Sequence, residues 1–78
     1  MSSETQILVL NGQKFTMTSG ARQIDNVGEV LNYLSSDDIK KVRREANISK
    51  IAVRRNPVLT RLLSCILLKS SQILNDRT

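Results

Sequence analysis

The side chains with the clearest chemical capacity in this sequence are cations concentrated in one segment. Eight cations and one acid, Glu45, give residues 40–61 a net charge of +7, whereas the rest of the chain has four cations and six acids. Charge runs usually line solvated helix faces, but a field concentrated on one segment attracts a polyanion. The ratio of eight to one therefore favours binding to the phosphates of a nucleic acid.

The residue types that catalysis and metal binding require are scarce. The 78 residues include no histidine and one cysteine, Cys65. A thiol nucleophile needs a neighbouring base, and a structural zinc site needs several Cys or His ligands. The acidic pair Asp37 and Asp38 is adequately explained as a helix start, and no glycine-rich phosphate loop is present. We expect a protein that is not an enzyme and that has no metal, cofactor or small-molecule substrate.

Composition also indicates where the protein functions. Cys65 lies in the apolar stretch LLSCILL, which favours a core thiol in a reducing, intracellular compartment. The polar start MSSETQ does not resemble a signal peptide, and no apolar run exceeds four residues. We expect no membrane association and a location in the cytoplasm or nucleoid, or in the nucleus of a eukaryotic host.

The basic segment DIKKVRREANISKIAVRRN, residues 38–56, resembles a helix-turn-helix unit. Its first helix is predicted from the N-cap Ser36 to Ala46 and its second from Ile48 to Arg55, with the turn at Asn47. Ile48 and Val53 would anchor the second helix against the first. Arg43 stands in the first helix where such units usually have a small residue.

This resemblance assigns roles to the polar side chains of the unit. Ser49, Lys50 and Arg54 would face base edges, because lysine and arginine donate to guanine O6 and N7. The remaining cations would contact phosphates, which fix position without recognising sequence. These are Lys40, Lys41, Arg43, Arg44, Arg55 and Arg61.

The elements around this unit follow from turn and capping signals. Asn11-Gly12 between two β-prone runs predicts a type I′ hairpin over residues 5–18, with Leu8 opposite Phe15 and Leu10 opposite Gln13. Ile7 and Val9 then lie on the exposed face and favour pairing with another chain. A short helix is predicted over 26–34. Asn56-Pro57 predicts the start of a long helix, residues 57–75.

The long C-terminal helix has apolar residues over a wide arc. At about 100° per residue they span roughly 200°, twice the width that one domain's core requires. A 78-residue chain without disulfide or metal also lacks the usual means of stabilising a small core. We therefore expect a homodimer, with an interface formed by Leu59, Leu63, Ile66, Leu67 and Leu74.

Together these signals predict a single α+β domain, mostly helical. It consists of an N-terminal β-hairpin and three to four helices, including a helix-turn-helix-like pair. The expected function is a dimeric, DNA-binding regulator. Duplex RNA recognised by shape is the first alternative. The second is a protein-interaction module or inhibitor, such as a viral or plasmid-borne host modulator, that acts through the apolar C-terminal helix.

Overall fold

The structure, a computed structural model, describes residues 5–20 and 22–78. A three-stranded antiparallel sheet is followed by three helices, so the predicted α+β, mostly helical fold is confirmed. The elements are β1 (Thr5–Leu10), β2 (Gln13–Thr18), β3 (Ile24–Asp25), α1 (Val27–Tyr33), α2 (Ser36–Ala52) and α3 (Pro57–Asp76).

The hairpin has the predicted register. Leu8 pairs with Phe15 and Leu10 with Gln13. Asn11 and Gly12 have φ values of 50° and 75°, the positive values that a type I′ turn requires. Side chains alternate across the sheet, so Leu10 and Phe15 are buried beneath the helices, whereas Ile7 and Val9 are exposed on the opposite face.

A third strand, which the sequence pattern did not reveal, joins the hairpin to α1. β3 pairs with β2, and the side chain of Asn26 extends the pairing by one residue. Asn26 Oδ1 accepts from Thr16 N at 2.9 Å, and its Nδ2 donates to Lys14 O at 3.0 Å. Asp25 Oδ1 accepts from Val27 N at 3.0 Å and so satisfies a backbone donor at the start of α1.

The predicted break at Asn47 is absent, and the two expected helices form one continuous helix, α2. No glycine or proline interrupts residues 36–52, and asparagine inside a helix costs at most about 0.7 kcal/mol. Breaking the helix there would sacrifice several backbone hydrogen bonds. The N-cap is Ser35 rather than Ser36, with Ser35 Oγ accepting from Asp38 N at 3.2 Å.

Asn56 begins α3 as predicted. Its Oδ1 accepts from Val58 N and Leu59 N, both at 3.1 Å, and Pro57 occupies the first turn. α3 packs against α1, α2 and the sheet. One core results, with side chains from every long element: Leu10, Phe15, Met17, Val27, Leu31, Ile39, Val42, Ala46, Leu62, Leu63 and Ile66.

This packing removes two of the five residues predicted for the oligomer interface. Leu63 and Ile66 are fully buried within their own chain and are unavailable to a partner. Leu59, Leu67 and Leu74 are partly buried and pack against the same core. The wide apolar arc of α3 reflects contacts with helices and sheet on several sides of one domain.

Among the residues described, α3 alone is long and apolar enough to cross a membrane, judged by length and composition. Core helices of globular proteins pass the same test. Leu62, Leu63 and Ile66 of α3 are fully buried in the domain core. The helix is therefore weak evidence for a membrane protein.

The two hydrogen bonds from the Asn26 side chain to β2 make a testable contribution to stability. Asn26→Ala should lower the free energy of unfolding by about 1–2 kcal/mol, because both bonds are lost and Thr16 N–H is left without its acceptor. Urea unfolding measures the change. Asn32→Ala, on the exposed face of α1, is the control and should cause no loss. Equal stabilities of the two variants would contradict the assigned role of Asn26.

Candidate nucleic-acid interface

One side of α2 faces the core and the other presents cations to solvent. At about 100° per residue, Ile39, Val42 and Ala46 form the buried stripe. Lys40, Lys41 and Arg44 lie on the opposite side and are all exposed. Arg44 is one turn from each lysine, which places their Cβ atoms about 5–6 Å apart. We define the α2 outer face as these three cations together with two isoleucines on the same side of the helix, Ile48 and Ile51.

A second group of cations surrounds the connection between α2 and α3. Arg54 and Arg55 are exposed in residues 53–56, the α2–α3 corner, and Arg61 is exposed one turn into α3. The corner is fixed internally, because Val53 O accepts from Asn56 N at 2.8 Å and from Thr60 Oγ1 at 3.1 Å. The two arginines therefore extend from an ordered turn.

None of these cations forms an ion pair in the part of the chain that the structure describes. Within residues 5–20 and 22–78 the structure has one ion pair, between Lys69 Nζ and Asp25 Oδ1 at 3.4 Å. Glu45, the only acid of the basic segment, is exposed and forms no ion pair there. The cations of the α2 outer face and the corner are thus available to an external anion.

Arg43 differs from its neighbours and does not belong to this surface. Its NH1 group donates to Leu67 O at 2.7 Å and to Ser70 Oγ at 2.9 Å, both on α3. Among the residues described, Ser70 is the one polar residue that is fully buried, and its hydroxyl also donates to Leu67 O. Arg43 therefore links α2 to α3.

Two further predicted contact residues are placed differently from expectation because the helix is continuous. Ser49 is partly buried on the side of Val42 and does not project outward. Lys50 is exposed, but on the flank of α2 rather than on the outer face. The structure thus brings together Lys40, Lys41 and Arg44 on one side of α2, groups Arg54, Arg55 and Arg61 at the corner, and places Lys50 on a different side of α2 from the first group.

Sequence reasoning missed two members of the outer face. Ile48 was expected to anchor a second helix, yet its side chain is 68% exposed, and that of Ile51 is 74% exposed. Both lie beside Arg44 on α2. The spacing 44, 48, 51 would have identified them had the helix been assumed to continue through Asn47.

Cys65 belongs to a separate small polar cluster. Its Sγ lies 3.9 Å from Asp25 Oδ2, and Lys69 pairs with the other carboxylate oxygen. Burial raises the pKa of Cys65 above its ordinary value of 9.0, the charge of Asp25 raises it further, and Lys69 opposes them. At neutral pH the group is a thiol, which is a poor nucleophile. The described residues contain no cluster of three metal-ligating side chains.

Comparisons with known proteins give no guide to function. No protein-family model matches the chain, and no curated protein or solved structure is significantly similar to it. Function is therefore inferred from the charge and geometry described above.

Arg43 and Arg44 are adjacent in sequence, so substituting each in turn tests whether Arg43 stabilises the fold while Arg44 only faces solvent. Arg43→Ala should lower the free energy of unfolding by about 2 kcal/mol, since it removes charged hydrogen bonds from the buried Ser70 and from Leu67. Arg44→Ala is the matched control and should change it by less than about 0.5 kcal/mol. Chemical denaturation of both variants measures the difference. Similar midpoints would refute the assignment.

The environment of Cys65 predicts slow alkylation at pH 7.5. Only the thiolate reacts, and its raised pKa keeps the thiolate fraction below that of the unfolded chain. Asp25→Asn should accelerate the reaction, because the carboxylate raises this pKa. Asp76→Asn makes the same charge change at the far end of α3 and should leave the rate unaltered. Iodoacetamide labelling followed by mass spectrometry supplies the rates, and a slower Asp25→Asn reaction would disprove the electrostatic effect.

Proposed function

We propose that this protein is an intracellular, non-enzymatic DNA-binding regulator that contacts duplex DNA through the α2 outer face and the α2–α3 corner. The observation that supports the proposal most directly is the set of exposed cations without acidic partners in the described chain: Lys40, Lys41, Arg44, Arg54, Arg55 and Arg61. Such side chains neutralise phosphates and release condensed counterions, which is the main source of affinity in non-specific binding.

The dimensions of α2 match those of a DNA groove. Its 17 residues are roughly 25 Å long, and a helix with side chains is about 10–12 Å across. The major groove of B-DNA is about 12 Å wide and admits such a helix. Lys40 and Lys41 lie near one end of α2, and Arg54 and Arg55 lie just beyond the other. Cations at both ends can contact backbone phosphates while the middle of the helix faces the bases.

This geometry changes the helix-turn-helix hypothesis. The two basic helices of the original prediction are one helix, and the turn that follows it is the α2–α3 corner. The proposed groove-binding helix is therefore α2, which precedes the turn. α3, whose apolar side is buried in the core, supports it from behind.

Duplex DNA is favoured over RNA for two reasons. Phe15 is fully buried, which leaves Tyr33 as the only exposed aromatic side chain, whereas single-stranded RNA is usually bound by stacking on several. The deep, narrow major groove of A-form RNA does not admit a helix. An RNA-binding role would be confined to the shape and phosphates of a duplex.

A homodimer remains part of the proposal, with a different interface. β1 lies at one edge of the sheet, and no described strand pairs with its outer side. Ile7 and Val9 are 56% and 59% exposed, and the backbone groups of these alternate residues point away from β2. Pairing of β1 with β1 of a second copy would satisfy these groups and present two α2 helices.

The second candidate function is a protein-interaction module. Leu68 is 62% exposed, and it lines a shallow groove on α3 with Leu74, Ser71 and Asn75. An apolar contact there would depend weakly on salt, in contrast to phosphate binding.

A charge-matched pair of variants tests the DNA-binding surface. Lys41→Gln with Arg44→Gln should weaken binding to duplex DNA and reduce the slope of log K against log salt by about 2, because two phosphate contacts are lost. Lys14→Gln with Arg22→Gln gives the same net charge and changes exposed cations outside the basic segment. Fluorescence anisotropy at several salt concentrations measures both. Equal losses in the two variants would show that binding follows net charge rather than this surface.

A further inference from the structure

We infer that Ile48 and Ile51 contact thymine methyl groups in the major groove, so that α2 recognises T-containing duplex DNA. This inference rests on the proposed function and adds sequence recognition to it. The two side chains lie on the same outward side of α2 as Arg44 and are separated by one turn. Neither is among the side chains packed against the core.

The exposure of these isoleucines has no explanation within the fold. Single exposed apolar residues are common on protein surfaces. Here two neighbours share one helix face, with 68% and 74% of their surface in water, at the centre of the cations that the chain concentrates. The opposite side of α2 already supplies the apolar contacts that attach it to the core.

The cations around Ile48 and Ile51 indicate what kind of partner can bind this face of α2. Packing of this face on the same face of a second copy would bring two sets of cations into one contact, because Arg44 lies beside Ile48, and Arg54 and Arg55 follow shortly after Ile51. Like charges at such close range repel, which argues against a self-contact. The occupant should be an anion with apolar groups at its centre. Duplex DNA has this arrangement, because phosphates line both edges of the major groove and thymine methyls lie on its floor.

Helix geometry restricts the site that is recognised. Ile48 and Ile51 are about 4.5 Å apart along the α2 axis, a little more than the 3.4 Å base-pair step of B-DNA. They should therefore contact thymines on adjacent or next-adjacent base pairs.

The experiment selects duplexes from a random pool with the full chain and then replaces each dT of the enriched sequence by dU. This change removes only the C5-methyl group. Wild-type protein should lose about 4-fold in affinity per contacted methyl, which corresponds to about 0.8 kcal/mol for one buried carbon. Ile48→Ala with Ile51→Ala should bind dT and dU duplexes equally and keep its salt-dependent affinity. Leu68→Ala, which removes an exposed side chain from α3, should behave as wild type.

The outcomes separate this inference from the proposed function. Salt-dependent duplex binding without enriched sequences, or an equal wild-type affinity for dT and dU, overturns the inference and leaves the function standing. A double variant that still distinguishes dT from dU does the same. Absence of duplex binding at low salt overturns both. In that case, binding of an acidic amphipathic peptide that the double variant abolishes would identify a protein partner instead.

Discussion

The rotation of α2 about its own axis decides which of its cations reach solvent. Two interactions fix that rotation. The stripe of Ile39, Val42 and Ala46 is buried against the rest of the domain, and Arg43 donates from the edge of this stripe to α3. A shift of one residue would turn the helix by about 100° and bury a lysine or arginine. The composition of the outer face is therefore a consequence of core packing.

The contact between Arg43 and α3 also limits how the two helices cross. Its acceptors are a main-chain carbonyl and a hydroxyl that is itself buried, so the guanidinium must lie at the helix contact. The α2–α3 corner adds a second constraint. Asn56 precedes Pro57, which keeps its backbone out of the helical region, and its side chain caps α3. Arg54 and Arg55 therefore lie between two constrained positions, the Arg43 contact with α3 and the Asn56 cap.

Short sequence motifs were sufficient to predict the elements whose boundaries depend only on neighbouring residues. Asn11-Gly12 determined the hairpin register, and Asn56-Pro57 determined the start of α3. The turn predicted at Asn47 is absent because asparagine only weakly disfavours helix, and the backbone hydrogen bonds of α2 continue through it. The sequence did not predict β3, because a two-residue strand shows no alternation of apolar and polar side chains. It forms only by pairing with β2. The structural role of Arg43 depends on residues 24 and 27 positions away, which no spacing rule reveals.

The outer face of α2 is costly to the folded chain in two ways. Arg44 lies four residues after Lys40 and three after Lys41, and like charges at these spacings destabilise a helix by a few tenths of a kcal/mol per pair. Ile48 and Ile51 leave most of their apolar surface in water on the same face. Polar or mixed-charge residues there would satisfy the fold better, because the core contacts of α2 are all on its other side. Under the proposed function, a bound polyanion with apolar groups between its charges would remove both costs. If such a ligand binds the folded chain more tightly than the unfolded one, as proposed, it will stabilise the fold.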